Sequence, residues 1–178
     1  MERPTERADR VYLETRSRFR LLTGLVNGLT AGILLVLAVL GAALWRGDAS
    51  LATSLGIFLV VLLVIKGLVL LEVPDARKRF LDAVRIRAGH HMLETADSLT
   101  ALRGTETSWA EASKLVDVLE RSAEEHPQVA QVWERVRLAV REYRRGQWTR
   151  TELAEHLREH GDRLLLGKDY VEVQKEEP

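Results

Sequence analysis

"ASLATSLGIFLVVLLVIKGLVLLE" occupies residues 49–72, and one charge, Lys66, interrupts an otherwise apolar run that closes at Glu72. A hydrocarbon layer about 30 Å thick requires roughly 20 apolar residues of helix to cross it. This stretch is long enough, and a helix buried in a water-soluble core seldom runs so far without a polar face. Upstream, Leu21–Trp45 holds no charged residue at all. Two transmembrane helices are therefore expected, over about 21–45 and 51–72. The alternative for the first, a signal peptide, calls for an apolar core of roughly 7–15 residues ending in a cleavage site. Leu21–Trp45 is longer, and another span follows almost at once.

The 178 residues carry 26 basic and 26 acidic side chains, but the charges are sharply segregated. Residues 1–20 form a basic lead in which Arg16, Arg18 and Arg20 adjoin the first apolar run. Beyond the second run come Arg77, Lys78, Arg79, Arg85 and Arg87, whereas the link between the runs carries only Arg46 as a cation. The bias of cytoplasmic loops towards Lys and Arg then puts both termini in the cytoplasm of a bacterial-type membrane and the link outside. The expected fold is all-α: a transmembrane hairpin over 21–73, then a cytoplasmic helical bundle over 74–167 and a charged tail over 168–178.

Four amphipathic helices are predicted in the bundle. Pro74 is expected to break or bend the chain at the membrane exit. From there Leu81, Val84, Ala88, Met92, Leu99 and Leu102 recur at helical spacing, and Gly104 ends the run. Ser108 with Glu111 reads as a capping box opening the next helix. Pro127 suits the first turn of a third, closed by Gly146. Thr149 with Glu152 repeats the capping box, and Gly161 is the expected C-cap.

Chemistry-bearing patterns are few. "HLREH", His156–His160, has the form of an inverted zincin motif, since two histidines four apart share a helix face. A catalytic zinc also needs a third protein ligand and a cleft, so a solvated helix is the preferred reading. His90 and His91 read as surface histidines. With no cysteine, no Walker loop and no nucleophile motif, neither a catalytic residue, a metal nor a cofactor is expected. Arg137, Arg141, Arg144, Arg145 and Arg150 form a candidate anionic-ligand cluster, because guanidinium forks suit phosphates. No DNA partner is expected of a chain without net charge.

In the first span Gly24, Gly28 and Gly32 repeat every fourth residue, a pattern that lets helix backbones approach closely within lipid. Thr23, Asn27 and Thr30 form a polar stripe beside it. Lys66 lies six residues inside Glu72, about 9 Å by the helical rise, at a depth similar to Asn27. Its side chain either extends back to the interface or belongs to a polar ring at the inner mouth of an oligomer. Leu55, Leu59, Leu62, Leu63 and Leu70 surround it, which argues against a wide wet pore along this face.

The segments "RVYLETRSRFRLLTGLVNGLT" (10–30) and "LEVPDARKRFLDAVR" (71–85) give the chain a general character over about residues 10–90. In that region it resembles the SLATT and TRADD-N-associated two-transmembrane families of bacterial conflict systems. The resemblance implies a non-enzymatic homo-oligomer that perturbs the membrane or forms a small channel. Its cytoplasmic bundle would answer a protein or nucleotide signal. The alternative is a membrane anchor whose helical domain docks a partner protein.

Overall fold

The computed structural model describes residues 3–101 and 105–167. Within these the chain is five helices: α1 (Pro4–Arg46), α2 (Ala49–Ala101), α3 (Thr105–Glu125), α4 (Pro127–Arg144) and α5 (Arg150–Leu166). No strand occurs among the described residues. The expected end of the first bundle helix at Gly104, and Leu102 of its stripe, lie outside the described residues, as does the tail from Lys168.

Two compact units divide the helices, one of residues 14–80 and the other of 1–13 with 81–178. Neither long helix stops at 20/21 or 73/74, the expected boundaries where composition changes. α2 runs through Pro74 without a break. Proline removes one hydrogen bond from the helical ladder, but Val73 and Ala76 on either side remain on the inward face and hold the turn in register.

Unit 14–80 is an antiparallel helical hairpin. Its turn follows from two residues. Gly47 adopts φ +72°, and the amides of Gly47 and Asp48 return to the carbonyls of Leu44 and Ala43, at 3.1 and 3.0 Å. That pair of bonds is a Schellman closure, which needs a residue free to take a left-handed backbone. Asp48 then caps α2 by accepting from the Leu51 amide at 3.0 Å. Along α1 the less exposed positions Leu22, Val26, Leu29, Ile33, Val36, Leu40 and Ala43 alternate in steps of four and three. Ala52, Leu55, Leu59, Leu62, Lys66, Val69, Val73, Ala76 and Phe80 do the same on α2. This is the seam spacing of an antiparallel coiled coil. The Phe19 and Phe80 rings stack across it, 5.5 Å apart and 4° from parallel.

The other unit is a helical bundle in which the second half of α2 packs with α3, α4 and α5. Val84, Ala88, Met92, Leu99, Leu119, Val129, Val132, Val136, Leu153 and Leu157 are fully enclosed. α2 and α5 meet where both carry glycine: a Cβ on Gly161 would stand 3.1 Å from the Gly89 carbonyl oxygen. Gly161 is therefore not the C-cap expected of it. That role falls to Gly167 at φ +68°, and Gly161 serves close backbone approach inside the helix. Pro127 opens α4 as expected, and the Thr149–Glu152 capping box is complete. Ser108 is no cap. α3 starts at Thr105, and Ser108 is buried one turn in, where its hydroxyl shares a 2.6 Å hydrogen bond with that of Tyr143.

Candidate functional site

The lead expected as a separate segment begins α1, and its first turns belong to the bundle. Asp9 Oδ1 accepts from Arg87 Nε at 2.5 Å and lies 3.1 Å from His91 Nε2. Arg87 lies over the Tyr12 ring, 4.4 Å from its centroid, and the Tyr12 hydroxyl donates to Glu125 Oε2 at 2.9 Å. Arg3 reaches Glu94 at 2.9 Å. Burial alone would raise the Asp9 carboxyl, but the hydrogen bonds and charges of His91 and Arg87 outweigh it and hold the group below its ordinary value. His91, expected at the surface, is thus part of a clasp. The sequence signal was present, since Asp9 and Tyr12 sit three apart on one face, but nothing in a single chain named their partners.

The membrane-type positions sort by face. Lys66 lies in the hairpin's own seam, level with the stretch from Leu29 to Ile33. Leu55, Leu59 and Leu62 lie in the same seam, while Leu63 and Leu70 face outward. Asn27 is exposed on the outward side of α1. The hairpin therefore does not bring Asn27 and Lys66 together. The two lie at neighbouring levels of the hairpin, but level does not fix rotation about the helix axis. Thr23 and Thr30 satisfy their hydroxyls within α1, donating to the carbonyls of Phe19 and Val26 at 2.9 and 2.7 Å. Around Gly24, Gly28 and Gly32, an added Cβ would find no atom within 4 Å. The chain's own second long helix is not the partner of that stripe.

At the charged end of the hairpin Arg18 approaches Glu72 at 3.6 Å. A cleft of about 200 Å³ lies here, lined by Arg18, Leu71, Glu72, Asp75, Ala76 and Arg79.

The arginines of α4 do not converge on one point. Arg137 covers the Trp133 ring at 4.7 Å and pairs with Glu134 at 3.0 Å. Arg144 donates to the Ser113 hydroxyl. Arg141 and Arg145 are exposed, and Arg150 is half-buried at the start of α5.

His156 and His160 face each other edge-on, ring centroids 4.2 Å apart, with Trp148 edge-on to His156 at 5.1 Å. Glu159 points elsewhere and pairs with Arg163 at 2.5 Å. Among the described residues no third histidine or carboxylate joins the pair to make a metal-ligand set. Burial is the main cause that lowers the pKa of His156, and it pushes His160 down to about 4, helped by the charges of His156, Arg135 and Arg163. His126 is lowered as well, first by burial and then by Arg85. Its Nδ1 accepts from the Gln128 amide at 3.1 Å and caps α4, a role that requires the neutral ring.

Compared with protein-family models, curated proteins and solved structures, the chain matches none. Geometry and chemistry alone bear on its function.

Proposed function

We propose that this chain is a two-span inner-membrane protein whose cytoplasmic helical domain controls a membrane-perturbing or small-channel hairpin in a non-enzymatic homo-oligomer. The membrane part is supported by exposure. None of the most apolar stretch of α2 is buried, and Leu68 and Leu71 are 62% and 74% exposed. Each such side chain left in water costs about 1.5–3 kcal/mol, which lipid removes.

One observation carries the functional reading: both apolar helices continue into the bundle with no linker, α1 as far as Pro4 and α2 as far as Ala101. A passive anchor needs no such continuity, whereas a signal received by the bundle has two unbroken helices to travel along. Within the bilayer the outward face of α1, with Asn27 beside Gly24 and Gly28, supplies the contact between copies. An amide exposed to hydrocarbon is costly until it finds a partner, and glycines let that partner's backbone approach. Lys66 stays in the seam.

Ion flux from liposomes tests this reading. Asn27→Leu is expected to abolish flux, and Lys66→Leu to leave it within about twofold. Absence of flux under every ligand tried, with a stable partner protein recovered on purification, would sink it in favour of the anchor. That second reading has its own support in an open groove of about 450 Å³ with Val11 and Ile86 exposed along it. An anionic nucleotide as the bundle's signal would meet Arg141 and Arg145.

A further inference from the structure

We propose that the charged end of the hairpin is a collar that binds the headgroups of anionic phospholipids through Arg18, Arg20, Arg77, Lys78 and Arg79. The inference rests on the membrane reading above and names the lipid chemistry that reading leaves open.

The Phe19–Phe80 stack fixes the geometry. Arg18 and Arg20 flank one ring in sequence, and Arg79 precedes the other, so all three stand at one level of the hairpin. Arg77 and Lys78 follow within one turn, about 5 Å along the axis. In the sequence the two basic groups are almost sixty residues apart; the hairpin joins them. All five side chains are exposed. Arg18 has only its long 3.6 Å approach to Glu72, and Arg20, Arg77, Lys78 and Arg79 make no ion pair among the described residues. Within the bundle Arg3, Arg87, Arg137, Arg158 and Arg163 have carboxylate partners, whereas Arg141 and Arg145 on α4 are exposed like the cations of the hairpin but have no apolar belt beside them. Five exposed cations therefore gather at this level of the hairpin. Glu72 and Asp75 lie on its apolar side and offset only part of the cations' charge.

What lies next to the cations selects a lipid over a soluble phosphate. Leu21 and Leu71, immediately towards the apolar belt, are 63% and 74% exposed. A ligand that covers these leucines and neutralises the cations above them is anionic at one end and a hydrocarbon chain at the other. Each basic side chain at such a surface contributes about 1 kcal/mol towards an anionic leaflet, roughly a fivefold preference.

The test uses the full chain reconstituted in vesicles of equal phosphatidylglycerol, phosphatidylcholine and phosphatidylethanolamine, with the lipid retained on gentle detergent extraction then measured. Phosphatidylglycerol is expected to be enriched at least fivefold over either other lipid. Arg20→Gln/Lys78→Gln/Arg79→Gln is expected to reduce that enrichment below twofold, while Arg141→Gln/Arg145→Gln in the bundle retains it. If the triple variant fails to insert, Lys78→Gln alone replaces it and is expected to halve the enrichment. Equal retention of the three lipids overturns the collar, as does enrichment unchanged in the collar variant. Loss of enrichment to competing inorganic phosphate overturns it too, because the site is then one for soluble anions. Alkaline carbonate extraction separates the two failures. A chain stripped from the vesicles refutes the membrane reading itself, and an inserted chain without enrichment refutes only the collar.

Discussion

Three histidines, His126, His156 and His160, sit in the bundle with their pKa values lowered, chiefly by burial. The unfolded chain binds protons at each near pH 6.5, and the folded chain resists until lower pH. Their contribution to stability is therefore constant above that point and falls as pH drops from about 6.5 towards 4. For His160, held near 4, the loss is on the order of 3 kcal/mol. Urea unfolding followed by tryptophan fluorescence at pH 7.5 and pH 4.5 is expected to show that loss, and His160→Phe to flatten it. An unchanged midpoint across that range would contradict the burial of the pair. Spacing alone exposed the common face of His156 and His160, and that face was expected to be solvated, with a zinc site as the alternative; instead His160 is buried and His156 half-buried. The sequence did not show their surroundings: Trp148, in the connection before α5, packs against His156, and Glu159 is drawn off by Arg163 on the same helix.

Among the elements, α5 shows best what was legible. Its capping box follows from side chains that reach only three residues, so Thr149 and Glu152 could be assigned by eye. Thr149→Ala is expected to cost about 1 kcal/mol, read as a lower unfolding midpoint. Gly161 was misassigned because a glycine near a helix end satisfies the same local rule as one at a crossing. Only the proximity of Gly89 distinguishes them. Gly161→Leu is expected to destabilise the bundle by about 2 kcal/mol or more through overpacking, whereas Gly146→Ala, with open space around it, carries only the strain of its φ of +74°. Equal effects of the two on the unfolding midpoint would contradict the α2–α5 crossing. Pro74 teaches the converse lesson: a strong local breaker was overridden because both flanking turns are held by seam residues. The seam itself, in steps of three and four, was hidden in α2 by apolar residues on every side.

At the scale of the whole molecule, hydropathy made the two apolar spans plain, and nothing in it told that each continues as one helix beyond its span. The bundle takes back the first thirteen residues through the Asp9–Arg87–His91 and Tyr12–Glu125 contacts, so the chain's start and its later helices form one unit. Asp9→Asn removes the charge that Arg87 and His91 share and is expected to lower bundle stability by about 1–3 kcal/mol. If the bundle governs the hairpin through α1, that substitution alters liposome flux as well, although it lies outside the apolar belt.

In the proposed topology the apolar stretches of α1 and α2 cross a bilayer as a hairpin, with the residues before and after those stretches on one side. Absence of cysteine from the chain makes it directly measurable. Single cysteines introduced at Arg10, Asp48 and Ser98 can be probed with a membrane-impermeant maleimide in vesicles of both orientations. Asp48→Cys is expected to react from one face only, and Arg10→Cys and Ser98→Cys only from the other. Labelling of all three positions from the same face would contradict that topology.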